Sequence, residues 1–203
     1  MAEGLKIEVF RTKNAEEFTS ALADPSSRAE TGSGAAMTAA VSAALLHRAA
    51  AVSQKAAPEN ERLDYLVRNS EIVRKYMVHL IDEDVKARRP LRRALQEGGE
   101  REIEASRQPA IAICGEIINM MNQSLELGVE LCGLCPKEAM HFVGESAELA
   151  MAAIRSARLY IVDMSDYCSD DTYRFVIRRE NEITLEQCEK KAAAIRDAAE
   201  KAV

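Results

Sequence analysis

The feature that most constrains this chain is a run of small residues between Thr31 and Leu46. The run reads Thr-Gly-Ser-Gly-Ala-Ala-Met-Thr-Ala-Ala-Val-Ser-Ala-Ala-Leu-Leu. Alanine has the highest helix propensity, and a helix with alanine on two sides is narrow enough for its neighbours to approach closely. A Ser or Thr beside glycines supplies an N-cap oxygen. The run therefore predicts a central helix, beginning near Gly34, in a closely packed helical fold.

The start of this helix has two interpretations. Backbone N–H groups at a helix N-terminus, together with the helix dipole, can hold an anion. An Ala-rich helix capped by Ser or Thr is also ordinary core. The glycines match neither a nucleotide phosphate loop nor a dinucleotide fingerprint, because no Lys-Ser/Thr pair follows them and no strand precedes them. The residues alone leave both interpretations open.

Composition extends the helical prediction to the whole chain. Of its 203 residues, 47% are hydrophobic but only 4% are aromatic, so alanine and aliphatic side chains must fill the interior. Gly and Pro are few, and the long runs lack the alternation typical of strands. We expect one all-α domain over residues 1–203, a bundle of long, partly kinked helices around the Ala-rich helix, with residues 1–13 as an extended arm.

The hydrophobic pattern and the turn residues place the other helices. Asn14 caps a short first helix, and Pro90 predicts a kink or a break near residues 88–89 of the third. The predicted helices cover residues 15–22, 34–56, 61–94, 100–132, 137–167, 172–179 and 184–201.

Net charge and targeting signals exclude several classes of protein. The formal charge of −6 and the pI of about 5.3 disfavour a nucleic-acid binder, which usually displays a basic face. No apolar run approaches the ~18 residues that span a bilayer, and the first residues lack the hydrophobic region of a signal peptide. We therefore expect a cytoplasmic protein with neither a membrane nor a nucleic acid as partner.

The five cysteines predict neither a disulfide framework nor a metal site. Their number is odd, and no secretion signal accompanies them. Cys132 and Cys135 have CxxC spacing, but no second CxxC and no HxxxH pattern accompanies them. The favoured interpretation is two small, semi-buried thiols rather than a zinc or redox site.

The densest acidic point is Asp82-Glu83-Asp84, inside the third helix. Successive helical residues diverge by about 100°, so these three side chains cannot face one place. Asp84 lies four residues before Arg88, and Asp82 four before Lys86, which is the spacing of ordinary surface ion pairs. The functional alternative is that one carboxylate faces the core as an acid or a base.

Three stretches of the chain together resemble a family. They are Thr31-Gly-Ser-Gly-Ala35, Leu80-Ile-Asp-Glu-Asp-Val-Lys-Ala87 and Ala105-Ser-Arg-Gln-Pro109, and they are similar to formiminotetrahydrofolate cyclodeaminases and methenyltetrahydrofolate cyclohydrolases in order and spacing. The likeness extends over residues 15–186. It implies an all-helical homodimer that binds a folate-type small molecule in a cleft near the subunit interface, with no cofactor beyond tetrahydrofolate as substrate.

The resemblance also implies roles for individual residues. Gly32 and Gly34 match two glycines of the family's loop, with Ser33 in place of the middle one, and this helix start would offer N–H donors to the substrate. Asp84 matches the family's candidate catalytic Asp. A carboxylate there can stabilise the cationic methenyl bridge and act as a general base. Tyr160 and Asp163 stand where the family has an Asn-Val-x-x-Asn pattern, and would replace those amides.

The resemblance leaves the reaction open. Cyclodeaminases close 5-formiminotetrahydrofolate to the 5,10-methenyl form with loss of ammonia, whereas cyclohydrolases hydrolyse the methenyl form to 10-formyltetrahydrofolate. The missing Asn pair and the altered loop favour an alternative, a non-catalytic or diverged member that binds a folate-like or other small ligand as a helical dimer. A third hypothesis is an enzyme for another heterocyclic or cationic substrate.

Overall fold

The structure consists of long helices joined by short turns, as the hydrophobic pattern predicts. The computed structural model describes residues 8–202, and over that range it contains six α-helices, one 3-10 turn and no strand. The all-α prediction is confirmed. The elements are α1 (Ala15–Ala23), α2 (Thr31–Ala56), α3 (Glu61–Glu97), α4 (Glu100–Cys132), the 3-10 turn (Lys137–Ala139), α5 (Met140–Asp166) and α6 (Asp171–Ala202).

The Ala-rich helix α2 is one of four helices that form a closed bundle. α2 packs against α3 and α5, α4 packs against the same two helices, and α6 covers α4 and α5. The diagonal pair α2 and α4 also touch, because fully buried alanines such as Ala36, Ala39 and Ala43 occupy little space. The Ser42 hydroxyl donates to the Ser146 carbonyl at 2.8 Å, across the contact between α2 and α5. The predicted central helix is confirmed.

The apolar character of α2 has a direct explanation in this packing. Among the described helices, Thr31–Ala56 alone has the length and composition of a membrane span, with a mean hydropathy of 1.4 over an 18-residue window. The expectation that no apolar run of the chain is long enough to span a bilayer is therefore wrong. Half of the window is buried inside the bundle. A core helix enclosed by three neighbours needs the same apolar composition as a membrane span.

Two predicted breaks in helices are wrong, whereas the alternative of a kink near residues 88–89 stays a prediction. α3 continues through Pro90 to Glu97, because Arg88 before the proline is held by ion pairs and Leu91 after it is buried. The predicted helices 172–179 and 184–201 are one helix, α6. Residues 180–183 contain neither Gly nor Pro, and the Asn181 amide donates to the Ile177 carbonyl one turn earlier at 2.7 Å.

Hydrogen bonds and an ion pair hold the described part of the predicted arm against α3. Residues 8–10 have no regular structure, and Phe10 is completely buried. Asp82 accepts the backbone N–H groups of Phe10 and Arg11 at 2.7 and 3.2 Å, and its second oxygen lies 3.2 Å from the Arg11 side chain. Residues 1–7 of the predicted arm lie outside the described range.

Replacing Asp82 by Ala should release this segment. The two backbone donors and the Arg11 guanidinium would lose their shared acceptor, so trypsin should cleave after Arg11 and Lys13 faster than in the wild type. The control is Glu83→Ala, because Glu83 is the neighbouring carboxylate and pairs with Lys86 instead. Equal cleavage rates in wild type and Asp82→Ala, measured by mass spectrometry, would contradict this role for Asp82.

Candidate functional site

The site is built on a carboxylate that α3 inserts against the first turn of α2. Asp84 is fully buried, and its Oδ2 accepts the Ser33 backbone N–H at 2.9 Å. The Ser33 hydroxyl lies 2.9 Å from the same oxygen and 3.0 Å from the Ile81 carbonyl, and it can donate to either. The start of α2 therefore does hold an anion, and that anion is a side chain of the protein itself.

This arrangement corrects the predicted helix start. α2 begins at Thr31 rather than Gly34, so Gly32 and Ser33 lie inside the first turn. Glu30 occupies the N-cap position without a capping hydrogen bond from its side chain. No Ser or Thr is needed as the cap, because the Asp84 carboxylate supplies an acceptor from the neighbouring helix.

Arg88 neutralises Asp84 one turn further along α3. Its Nε and Nη2 donate to the two Asp84 oxygens at 2.9 and 3.0 Å, and its side chain is only 3% exposed. Its Nη1 donates to Glu30, and the guanidinium lies 4.3 Å from the centre of the Tyr160 ring. Burial opposes the charge of Arg88, but Asp84, Tyr160 and Glu30 together raise its pKa. The guanidinium is therefore permanently charged.

Two neutral groups complete the buried surroundings of this pair. Burial raises the pKa of the Cys114 thiol to about 12, and the charge of Asp84 adds to the effect. Burial also raises the pKa of Tyr160 to about 12, against the opposing influence of Arg88. The thiol and the phenol therefore keep their protons at neutral pH, and the charged groups here are carboxylates and guanidinium ions.

Glycine is required at one position of the α2 start. A Cβ atom on Gly32 would lie 2.5 Å from Cγ of Asp84 and closer still to one of its oxygens. A Cβ on Gly34 would instead meet only the methyl groups of Leu22, at 3.7 Å. The absence of a side chain at residue 32 is thus what allows the Asp84 carboxylate to reach the helix backbone.

A cavity of about 580 Å³ opens beside this cluster, between the start of α2, the loop that precedes it and the middle of α5. Its polar groups are carboxylates and hydroxyls, and none of these described residues is basic. The lining residues are Leu22, Asp24, Pro25, Ser27, Ala29, Glu30, Thr31, Gly34, Ala35, Thr38 and Ser156.

The predicted site residues divide between the cavity and the buried cluster. Gly34 lines the cavity, whereas Gly32, Ser33 and Asp84 are buried behind it. The Ser33 and Gly34 N–H groups are already used, by Asp84 and by the Glu30 carbonyl. A substrate could contact the Asp84 carboxylate only if Arg88 moved away. The catalytic role of Asp84 and the binding roles of the other residues stay predictions.

The two replacements on α5 lie apart from the cavity lining. Tyr160 is half-buried against Arg88, one turn after the cavity residue Ser156, and Asp163 is exposed. Neither lines the cavity. Their predicted contact with substrate also stays a prediction.

Sequence reasoning missed the residues that connect the cavity to the buried pair. Glu30 lines the cavity, and its carboxylate accepts hydrogen bonds from both Arg88 and Arg92. Arg92 also donates to the Arg28 carbonyl at 2.8 Å. Glu30 and Arg88 are 58 residues apart, and no local pattern joins them. The only available signal was an acidic residue immediately before the small-residue run.

The CxxC pair carries no sign of reactive chemistry. Cys132 and Cys135 are half-buried at the end of α4, and burial is the main cause that raises the pKa of each thiol. Residues 8–202 contain no group of three or more His, Cys, Asp or Glu side chains with the arrangement of a metal site.

Comparison with known proteins identifies the class to which this all-helical fold belongs. The chain resembles the crystal structure of formiminotetrahydrofolate cyclodeaminase from Thermotoga maritima, with a TM-score of 0.88 and 18% sequence identity. The match covers 94% of this chain and 97% of that one. This likeness shows a shared fold. Among curated protein sequences, none matches the chain.

The family follows from the sequence itself. The profile described as formiminotransferase-cyclodeaminase matches residues 14–182, most of the chain, so the protein belongs to the formiminotransferase-cyclodeaminase family. The resemblance inferred from the three sequence stretches is confirmed. The homodimer and the cytoplasmic location stay predictions.

Replacing Gly32 by Ala should destabilise the protein. The new methyl group would displace the Asp84 carboxylate from the α2 backbone, and overpacking of this kind costs about 1–3 kcal/mol. Gly34→Ala is the matched control, because its Cβ has room and alanine favours a helix by about 0.5–1 kcal/mol over glycine. Urea denaturation measures both free energies of unfolding. A Gly32→Ala variant as stable as Gly34→Ala would contradict the described contact.

Replacing Arg88 by Met should cost about 3–5 kcal/mol, because it leaves the Asp84 carboxylate buried without its counter-ion. The double variant Asp84→Asn with Arg88→Met should recover part of this loss. The control is Arg196→Met, since Arg196 and Glu148 form an exposed ion pair, and pairs of this kind contribute little to stability. If Arg88→Met were as stable as Arg196→Met, that result would contradict the burial of the ion pair.

Proposed function

We propose that the protein is a folate one-carbon enzyme that acts on the methenyl or formimino bridge of tetrahydrofolate. Membership of the formiminotransferase-cyclodeaminase family supports this class of substrate. The observation that carries the proposal is the cavity beside the α2 start, where Glu30 and Asp24 are carboxylates and the remaining polar side chains are hydroxyls. Such a lining suits a ligand that is positively charged or rich in hydrogen-bond donors.

The chemistry of both candidate reactions fits a lining of this kind. The methenyl bridge is a cation, and water that attacks its carbon must lose a proton. In the cyclodeaminase reaction, N10 attacks the carbon of the protonated formimino group and loses a proton, while the departing nitrogen accepts one and leaves as ammonia. Each reaction therefore needs a carboxylate that can stabilise a cation or move a proton.

Several charged groups near the cavity are in fixed positions. Hydrogen bonds from Ser26 lower the pKa of the fully exposed Asp24, so this carboxylate is ionised at neutral pH. Glu30 is held by Arg88 and Arg92. In the proposal, Asp84 is the candidate acid–base group if Arg88 releases it, and otherwise it contributes by holding Arg88.

The enclosure of Asp84 favours a second candidate function, binding without turnover. The carboxylate that matches the family's catalytic candidate is fully buried, and its oxygens are occupied by Arg88 and Ser33. A diverged member of this kind would still gain thermal stability from 5-formyltetrahydrofolate, because any ligand that binds the folded state alone stabilises it. Stabilisation without conversion of either folate substrate would support this candidate over the enzyme.

The first experiment follows the absorbance of 5,10-methenyltetrahydrofolate with purified protein, a protein-free blank and an Asp84→Asn variant. We expect the wild type to exceed the spontaneous rate of hydrolysis, or else to form the methenyl band and ammonia from 5-formiminotetrahydrofolate. Loss of an acid–base group should slow either reaction by about 100-fold or more.

Two results would count against the proposal. A wild-type rate equal to the blank with both substrates would exclude the enzymatic function. Full turnover by a folded Asp84→Asn variant would leave the function intact and exclude Asp84 as its acid–base group. The thermal unfolding temperature of the variant, measured in parallel, separates lost chemistry from a lost fold.

A further inference from the structure

Glu30 is the charged side chain that joins the buried ion pair to the cavity. It stands at the N-cap position of α2 and lines the cavity, and its side chain is 43% exposed. One carboxylate oxygen accepts from Arg88 and the other from Arg92. The carboxylate is therefore held from the protein side while remaining open to solvent.

The two guanidinium groups that hold Glu30 are themselves fixed. Arg88 is buried, bonded to both oxygens of Asp84, and stacked against Tyr160. Arg92 also donates to the backbone at Arg28. A carboxylate fixed in this way needs no reorganisation when a charged ligand arrives, and such preorganisation is the main source of electrostatic stabilisation in enzymes.

Charge at the cavity wall favours one sign of ligand. The charges of Asp84 and Glu30 balance those of Arg88 and Arg92, so these four side chains together are neutral. Neither arginine lines the cavity, whereas Glu30 does, and Asp24 adds a second carboxylate to the same wall. The cavity lining therefore includes two acidic residues and, among the described residues, no basic one.

Resting on the proposed folate function, we propose that Glu30, in place of the enclosed Asp84, contacts the cationic one-carbon bridge and acts as the acid–base group, and that Arg88 and Arg92 are its positioning residues. In hydrolysis, a C–O bond forms to the bridge carbon while one water proton moves to Glu30. That proton passes to the ring nitrogen as its bond to the bridge carbon breaks. The remaining hydroxyl proton leaves to solvent as the formyl carbonyl forms.

The test compares a ligand that has the bridge cation with one that lacks it. Initial rates give kcat and KM for 5,10-methenyltetrahydrofolate, and 5-formyltetrahydrofolate serves as a competitive inhibitor without the cation. Glu30→Gln should lower kcat/KM by about 100-fold, the loss typical of a missing acid–base group. The inhibition constant of 5-formyltetrahydrofolate should change less than about threefold, because the loss of one charge hardly affects a neutral bridge.

Two further variants separate charge from structure. Glu30→Asp keeps the carboxylate and should retain more activity than Glu30→Gln. Glu148→Gln removes an exposed carboxylate that pairs with Arg196 far along the chain, and it should behave as the wild type. Thermal unfolding curves of all three variants test whether each one is folded.

The outcomes distinguish this inference from the function on which it rests. An active wild type with an equally active Glu30→Gln would overturn the role of Glu30 and leave the enzyme function standing. Equal losses in kcat/KM and in affinity for 5-formyltetrahydrofolate would reduce Glu30 to a structural residue and also overturn the proposal. A wild type inactive on both folate substrates would overturn the proposed function, and the role of Glu30 with it.

Discussion

The buried ion pair between Asp84 and Arg88 is the interaction on which the site depends. Both side chains are almost completely removed from water, which costs each charge several kcal/mol before the pair forms. A buried pair of this kind adds little stability compared with apolar side chains, but the loss of either partner is expensive. The ion pair instead holds other groups in position. Asp84 fixes the start of α2, and Arg88 fixes Glu30 at the cavity.

Small residues make this buried pair sterically feasible. Gly32 has no Cβ to exclude the Asp84 carboxylate, and the Ser33 backbone N–H donates a hydrogen bond to that carboxylate. Further along α2, alanines allow α3, α5 and α4 to approach the same helix. The alanines and the glycine of α2 therefore have the same effect. They keep the helix narrow, so that neighbouring helices and the Asp84 carboxylate can pack against it.

The sequence predicted the helices well and the polar contacts poorly. Hydrophobic periodicity located the long helices. The predicted break at Pro90 is wrong because tertiary contacts hold the residues on both sides of the proline in one helix. The predicted break at residues 180–183 is wrong because no Gly or Pro interrupts the helix there. The spacing of Asp84 and Arg88 suggested an ion pair on the surface, but the pair is buried. Asp82 and Lys86 have the same spacing and do not pair, because Asp82 binds the segment at Phe10. Spacing within one helix carries no information about what another segment places beside it.

The internal anion also determines which ligand the α2 start can accept. A carboxylate ligand at this helix N-terminus would have to compete with Asp84. Asp84 already accepts a hydrogen bond from the Ser33 N–H, and it is buried away from water. A cationic ligand would share Glu30 with Arg88 and Arg92, and the Glu30 side chain is 43% exposed beside the cavity. The resemblance to folate enzymes predicts N–H donors at the α2 start. Of these donors, the Ser33 N–H holds Asp84 and the Gly34 N–H is bonded to the Glu30 carbonyl, whereas the Glu30 carboxylate before the helix is partly exposed.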